Sequence, residues 1–141
     1  MKISLDTNVF ISIHNKERDS SFCELILNTI EKNKWNTIIS VITVSEMLVG
    51  YYNQKNFSKA EQFLLLVQNN YDIQPINMHI AQLGAKFRSQ FKLKLPDALI
   101  LASGFYKKVD FLISNDIDMQ KNFPIQVVSV KKFIENYLEE S

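Results

Sequence analysis

The sequence predicts a three-layer α/β/α domain, in which helices cover both faces of a parallel sheet. Short apolar, β-branched runs alternate along the chain with longer segments of helical periodicity. This alternation is typical of strand–helix–strand units, whose crossovers are right-handed. Glycine and proline number only three each, which argues against long linkers. We therefore expect the 141 residues to form a single domain, residues 1–141.

Five short segments are predicted to form the strands of this sheet. Thr37–Val41 is compact and β-branched, as a strand buried on both faces is, and Tyr71–Ile76 is a short strand candidate. Once paired in a sheet, these segments would be covered by the flanking helices. They are Ile3–Leu5, Thr37–Val41, Tyr71–Ile76, Phe111–Ser114 and Ile125–Val128.

Helices are predicted between and after these strands. The clearest stripe places Ile80, Leu83, Gly84, Phe87 and Phe91 on one helical face. The segment that Pro96 opens is apolar nearly all round, so its helix should be deeply buried. Gly50 is expected to end a helix or to pack closely within one. The predicted helices begin after Asp6 and cover about 20–32, 43–52, 60–67, 80–91, 96–102 and 130–138.

Three acids follow the ends of predicted strands. Asp6 closes the first strand, Glu46 lies one turn into the helix after the second, and Asp116 follows the fourth by two residues. Sheets of this type place ligands at the carboxyl ends of their strands, near a switch in strand order. Asp97, in the first turn of the buried helix, joins them if that helix points its N-terminus the same way. The sequence thus predicts one site of four acids.

Four converging carboxylates indicate a divalent metal ion. Without a cation they repel one another, which raises some of their pKa values. Hard oxygen ligands suit Mg²⁺ or Mn²⁺, and His14 and His79 are too far apart in sequence to suggest a softer metal. Such a site makes bound water more acidic and offsets charge on a phosphoryl oxygen. We therefore predict phosphodiester hydrolysis, with the acids both catalytic and metal-binding.

Each acid also has an ordinary structural interpretation. Asp6 is a suitable N-cap for the first helix, and Thr43 with Glu46 matches the capping box T-x-x-E. Asp97 favours the dipole of its helix, and Asp116 suits an Asn-Asp turn. For any single acid this interpretation is at least as good as the functional one. Only the shared position at one sheet edge favours the site.

The charge balance allows only a local nucleic-acid surface. Lysine and arginine total 16 against 15 acids, for a net charge of +1. Arg88, Lys92 and Lys94 lie just ahead of Asp97 and are candidate contacts for RNA phosphates. A solvated helix end explains the same residues equally well.

Cysteine usage and hydropathy indicate a cytoplasmic protein. The one cysteine, Cys23, excludes an internal disulfide and fits a reducing compartment, where it is expected to be a core thiol. The N-terminal segment reaches an acid after five residues, which is unlike a signal peptide. No segment approaches the length of a membrane span, so no membrane association is expected.

Four blocks of the sequence resemble the PIN domain family, and within it the VapC-type toxin ribonucleases. Their order and spacing hold across nearly the whole chain. Met119 departs from the pattern, because the family often has an aromatic residue there. The blocks are ISLDTN at 3–8, ITVSEMLVG at 42–50, LPDALILA at 95–102 and LISNDID at 112–118.

The resemblance implies a five-stranded parallel sheet in the order 3-2-1-4-5 and Mg²⁺- or Mn²⁺-dependent cleavage of RNA. Asp6 would be the central metal ligand, Asp97 and Asp116 would complete the site, and Glu46 would bind metal or position the water. Three further residues would support the site: Asn8 and Ser114 by hydrogen bonds, and Asp118 at a second metal or at the rim.

The resemblance also implies partners. Toxins of this type act in type II toxin–antitoxin pairs, usually dimerise, and are silenced by a small antitoxin whose tail covers the acidic cleft. We therefore expect a homodimer, an RNA substrate and an antitoxin.

Two other functions fit parts of the sequence. A phosphatase of the haloacid-dehalogenase type would use Asp6 as nucleophile, but that chemistry requires a second acid two residues on, where this chain has Asn8. A catalytically silent PIN-like scaffold would bind RNA or a protein without cutting. The presence of all four acids argues against this scaffold, because loss of a ligand is expected in an inactive copy.

Overall fold

A computed structural model describes residues 1–119 and 123–138 of the chain. All five strands are parallel and form one sheet in the order β3-β2-β1-β4-β5, as predicted. The central strand is β1, so the residue that follows it lies at the middle of the sheet edge. The strands are β1 (Lys2–Leu5), β2 (Asn36–Ser40), β3 (Asp72–Gln74), β4 (Phe111–Ile113) and β5 (Gln126–Val128).

Seven α-helices are found in the described residues, and they cover both faces of the sheet. One apolar core includes Ile26, Phe63 and Phe133, and the other includes Ile100 and Leu112. Two cores separated by a sheet confirm the three-layer arrangement. The helices are α1 (Thr7–His14), α2 (Ser20–Asn33), α3 (Val41–Asn53), α4 (Phe57–Asn70), α5 (Met78–Phe91), α6 (Leu95–Tyr106) and α7 (Val130–Tyr137), with a short 3₁₀ turn at Ile117–Met119.

The start of α3 differs from the prediction. Ser40 is its N-cap, and the Ser40 hydroxyl accepts a hydrogen bond of 3.1 Å from the Ile42 backbone N–H. Val41 is therefore the first helical residue, although its β-branched side chain suggested a strand. The alternative interpretation of Thr43 and Glu46 as a capping box does not hold, because the helix has already begun when the chain reaches Thr43. This leaves the Glu46 side chain available for other contacts.

The helices α5 and α6 pack closely through a glycine. A Cβ atom added to Gly84 would lie 2.6 Å from Leu99 Cδ2 and 3.5 Å from Leu99 Cα. The missing side chain thus lets the two helix backbones approach each other. As expected, α6 is mostly buried, including Ala98, Leu101 and Ala102. Of the described helices, none is long and apolar enough to cross a membrane.

Five residues other than glycine have a positive φ in the described part of the chain, and all five are lysines. Each lies at or just after the C-terminus of a helix, where a positive charge favours the helix dipole. The left-handed conformation costs an L-residue about 1 kcal/mol or more, a cost that glycine avoids. They are Lys16, Lys34, Lys55, Lys92 and Lys108, with φ between 51° and 57°.

Replacing Gly50 with alanine should stabilise the protein. Gly50 lies inside α3, three residues before its last residue, and nothing is found within 4 Å of an added Cβ atom. The expectation that Gly50 ends or closely packs a helix is therefore wrong. Because alanine restricts the unfolded chain, the free energy of unfolding should rise by about 1 kcal/mol. Urea denaturation measures this; Gly84→Ala is the contrasting variant and should lose stability through its contact with Leu99. Equal effects at the two positions would contradict the packing described.

Candidate metal centre

Asp6 is held rigidly at the middle of the carboxyl edge of the sheet. It directly follows β1 and is the N-cap of α1, with only 3% of its surface exposed. Its Oδ1 accepts a hydrogen bond of 2.8 Å from the Thr7 backbone N–H, and its Oδ2 accepts one of 2.7 Å from the Ser114 hydroxyl. Asp6 therefore caps a helix and also presents a fixed, buried carboxylate at the switch in strand order.

Asp97 reaches the same edge because α6 runs antiparallel to the strands. At the far end of α6, the Lys107 ammonium lies 3.4 Å from Asp72 Oδ2, and Asp72 begins β3. The C-terminus of α6 is therefore at the amino edge of the sheet, and its first turn, which contains Asp97, is at the carboxyl edge. This is the orientation that a shared site requires of Asp97.

Glu46 is oriented by two threonines, Thr7 and Thr43, to which the sequence analysis assigned no role in the site. The Thr7 hydroxyl donates a hydrogen bond of 2.8 Å to Glu46 Oε1 and is also hydrogen-bonded, at 2.9 Å, to the Thr43 hydroxyl. Both threonines are buried. They connect α1 to α3 and fix the direction of the Glu46 side chain. The signal for Thr7 was its position directly after Asp6 in ISLDTN, the first of the four blocks.

Ser114 and Asn8 join Asp6 to the loop that carries Asp116. The Ser114 hydroxyl accepts hydrogen bonds from the Asp116 backbone N–H at 3.1 Å and from Asn8 Nδ2 at 3.3 Å. Asn8 Oδ1 accepts one from the Asn115 backbone N–H at 3.3 Å. The residues expected to support the site thus make contacts that position this loop.

The Asp116 loop is closed by two further side chains. Asn115, which the sequence analysis did not identify, accepts a hydrogen bond of 3.0 Å on its Oδ1 from the Val130 N–H, at the start of α7. Asp116 Oδ1 accepts one of 3.0 Å from the Asp118 N–H and so caps the 3₁₀ turn. Asp118 itself is exposed at the rim, and the buried Met119 contributes to the core.

The electrostatics of the site favour binding of a cation. Burial raises the pKa of Asp6 to about 6, and the charges of Asp97 and Asp116 add to this, while hydrogen bonds from Ser114 and the Thr7 N–H oppose it. The pKa of Asp97 is also raised, first by burial and then by Asp116 and Glu46. A cation bound among these carboxylates would stabilise their ionised forms, which burial and mutual repulsion disfavour.

The donor set suits Mg²⁺ or Mn²⁺ by type and charge, since it consists of carboxylate oxygens. Within residues 1–119 and 123–138, however, no three carboxylate, imidazole or thiol side chains are placed so as to hold one ion together. Glu46 is instead turned towards Thr7, from whose hydroxyl it accepts a hydrogen bond.

The three candidate phosphate contacts have different surroundings. Arg88 Nη1 donates a hydrogen bond of 2.7 Å to the Leu93 carbonyl, so part of this guanidinium holds the loop between α5 and α6. Lys94 is the N-cap residue of α6, and its charge lowers the pKa of Asp97. Lys92 is exposed and has a φ of 57°. Together with their neighbours they border a groove of about 580 Å³, called here the α5–α6 groove, lined by Ala85, Arg88, Ser89, Lys92, Leu93 and Leu95.

A family model described as "PIN domain" matches residues 3–123. The chain belongs to the PIN domain family. The match includes all four acids of the candidate site, and it confirms the resemblance found in the sequence. No curated protein matches this PIN domain.

Several solved structures are similar to this PIN domain over most of its length. A toxin–antitoxin complex from Klebsiella pneumoniae shares 27% identity, with a TM-score of 0.70 and coverage of 92% of this chain and 98% of that one. VapBC2 from Rickettsia felis, bound to a promoter DNA fragment, shares 21% identity with a TM-score of 0.72 over 92% and 98%. VapBC-1 from nontypeable Haemophilus influenzae shares 20% identity with a TM-score of 0.70 over 94% and 100%. The Rickettsia felis and Haemophilus influenzae structures, at 21% and 20% identity, show a similar fold and no more than that.

Proposed function

We propose that this PIN domain is a divalent-metal-dependent endoribonuclease and the toxin of a type II toxin–antitoxin pair. The observation that carries the proposal is the gathering of Asp6, Asp97 and Asp116 at the carboxyl edge, where burial and mutual repulsion raise the pKa values of Asp6 and Asp97. In a nuclease, a bound cation would relieve this repulsion and would lie beside the phosphodiester. Membership of the PIN family and similarity to a toxin–antitoxin complex support the same function.

Asp6, Glu46, Asp97 and Asp116 would hold the Mg²⁺ or Mn²⁺ ion. When bound, the ion supplies a more acidic water and offsets negative charge on a phosphoryl oxygen. Asp6 needs little reorganisation, because the Ser114 hydroxyl and the Thr7 N–H already fix both of its oxygens. Such preorganisation is what makes charged groups effective in catalysis.

Glu46 and Asp118 have the remaining proposed roles. Glu46 is half-buried and has one oxygen on the Thr7 hydroxyl, which leaves its other oxygen to accept a proton from water or to bind the ion. Asp118 is exposed beside Asp116 and lies at the rim, where a second ion or the leaving strand would pass. Asn8 and Ser114 act on the reaction only through Asp6 and the Asp116 loop.

An antitoxin and a second copy of the chain are the proposed protein partners. A groove of about 490 Å³ between α1, α3 and α4 is lined by residues including Ile13 and Leu66, with Lys16 and Lys59 beside them. This surface suits an apolar segment with acidic flanks, which we assign to the antitoxin. A small open reading frame beside the gene is the simplest supporting observation.

The alternative phosphatase is disfavoured by the surroundings of Asp6. That chemistry requires a second acid two residues after the nucleophile, and this position holds Asn8, whose side chain is hydrogen-bonded to the Ser114 hydroxyl and to the Asn115 backbone N–H. A silent scaffold would gain nothing from gathering buried acids that repel one another. Hydrolysis assisted by a metal ion is therefore the better explanation of the site.

The purified protein should cut labelled RNA in the presence of Mn²⁺ or Mg²⁺ and should leave it intact in EDTA. Single-stranded DNA of the same sequence serves as control for RNA specificity, and attempted trapping of a phosphoaspartate separates hydrolysis at the metal site from phosphatase chemistry. Expression in cells should arrest growth. If Mn²⁺-loaded protein cuts no structured RNA and expression is harmless, the toxin function is wrong.

A further inference from the structure

The α5–α6 groove is a local concentration of positive charge in a nearly neutral protein. The chain has a net charge of only +1. Arg88 and Lys92 nevertheless line this groove, Lys94 adjoins it, and the residues that line it include no acid. Polyanions bind to such patches with an affinity that depends strongly on salt. The charge of the groove therefore complements a phosphodiester backbone.

The groove lies at the same end of α6 as Asp97. Leu95 lines the groove and is the first residue of α6, and Asp97 is the third. Two residues correspond to about 3 Å along a helix axis. Lys94, between Lys92 and Leu95, is close enough to Asp97 to lower its pKa. Lys94 and the groove are therefore the basic groups next to Asp97 along the chain, at the end of α6 where an RNA strand bound to the acids would lie.

We propose that the α5–α6 groove holds the phosphodiester backbone of the RNA segment next to the cleaved bond, with Lys92 as a phosphate contact. The inference rests on the proposed nuclease function and extends it to the path of the substrate. Phosphate contacts of this kind set the position of the strand but carry no sequence information. The groove therefore fixes which bond reaches the acids, and base preference must come from other residues.

Arg88 is a positioning residue in this arrangement. Its 2.7 Å hydrogen bond to the Leu93 carbonyl holds the loop that presents Lys92 and Lys94. Removing Arg88 would change both the charge and the shape of the loop, so it is a poor test of phosphate binding. Lys94 is also unsuitable alone, because its charge acts on Asp97.

Lys92 permits a test in which loss of charge is separated from loss of folding. It is the C-cap of α5 in the left-handed conformation, with φ 57° and ψ 40°, so glycine fits its backbone better than lysine does. Lys34 is a matched control. It is the C-cap of α2 with φ 52° and ψ 44°, and it lies just ahead of β2, at the opposite edge of the sheet from the acids.

The experiment measures RNA affinity in an Asp97→Asn background with Mn²⁺ present, so that the strand is bound without being cut. A labelled RNA of about 12 nucleotides is titrated by fluorescence anisotropy at several salt concentrations. Lys92→Gly should raise the Kd about three- to fivefold near 0.1 M salt and reduce the slope of log K against log salt by about 0.7. Lys34→Gly should change neither quantity, and neither variant should lose thermal stability.

Equal affinities for the two glycine variants would overturn the groove as an RNA site. That result would leave the nuclease proposal intact if the parent chain cuts RNA. A parent chain that cuts no RNA would instead refute the nuclease function, and the affinity comparison would still decide the groove. If Lys92→Gly weakened binding of an acidic protein partner but not of RNA, the groove would belong to that partner and the inference would be wrong.

Discussion

Asp97→Asn should reduce the kcat of metal-dependent RNA cleavage by at least about 10²-fold while leaving the protein folded. Asparagine keeps the size of the side chain but removes the charge that a divalent cation requires from it. Asp97 is only half-buried in the first turn of α6, so its replacement by asparagine should leave the fold intact. The measurement is single-turnover cleavage of labelled RNA in Mn²⁺, with circular dichroism to verify the fold.

Asp19→Asn is the matched control for this variant. Asp19 is also at a helix N-terminus, as N-cap of α2, and its side chain makes no capping hydrogen bond. The same chemical change there should leave the cleavage rate within about twofold, as for most surface substitutions. Full activity of Asp97→Asn would show that Asp97 is not a metal ligand and that its place at the carboxyl edge serves only the helix dipole.

Much of the fold was predictable because the strands of this sheet are buried on both faces. Runs such as Ile3–Leu5 and Phe111–Ile113 are short and mostly apolar, and their length favours a strand over a helix. The error at Val41 has the opposite cause. Val41 is β-branched and favours a strand by local propensity. Ser40, however, caps a helix, so the helix begins at Val41, the last residue of the apolar run. Capping here overrides propensity.

The site was predictable in its acids but less so in their supports. Strand ends place Asp6 and Asp116 at one edge, which the sequence order alone implies. The role of Thr7 in orienting Glu46 depends on the distance between α1 and α3, which no local pattern encodes. The same is true of Asn115, whose partner Val130 is 15 residues away. Hydrogen bonds between elements distant in sequence are consequences of packing, so they require the structure.

The metal-free protein should lose stability as pH rises from about 4 to about 6. Asp6 has a pKa of about 6 in the folded protein against an ordinary value of 3.8, so the folded state binds its proton more tightly than the unfolded state does. Between these values the unfolded chain has released a proton that the folded protein still keeps, and stability falls with pH. A shift of about two pKa units corresponds to about 3 kcal/mol in the free energy of unfolding. This stabilisation is fully present below about pH 4 and is lost above about pH 6. The raised pKa of Asp97 acts in the same direction.

Urea denaturation in EDTA across this pH range measures the effect, and Asp97→Asn supplies the reference. Carboxylates far from the site contribute equally to both proteins and cancel in the difference. Removing the Asp97 charge also lowers the pKa of Asp6, because Asp97 is one of the groups that raise it. The variant should therefore be more stable than the parent in EDTA at pH 7, and this advantage should shrink towards pH 4. Parallel pH profiles for the two proteins would contradict a shared cluster of acids.

Adding Mn²⁺ at pH 7 should reverse this order of stability. An ion that binds only the folded state stabilises it by about 2.7 kcal/mol at a hundredfold excess over its Kd. Protons compete for the same carboxylates, so the gain should be smaller at pH 5 than at pH 7. Asp97→Asn should gain much less, because one charged ligand is missing. The four carboxylates would then destabilise the metal-free protein and stabilise the metal-bound protein. Helix capping alone would not make the stability of the protein depend on Mn²⁺, so this result would identify the acids as a metal site.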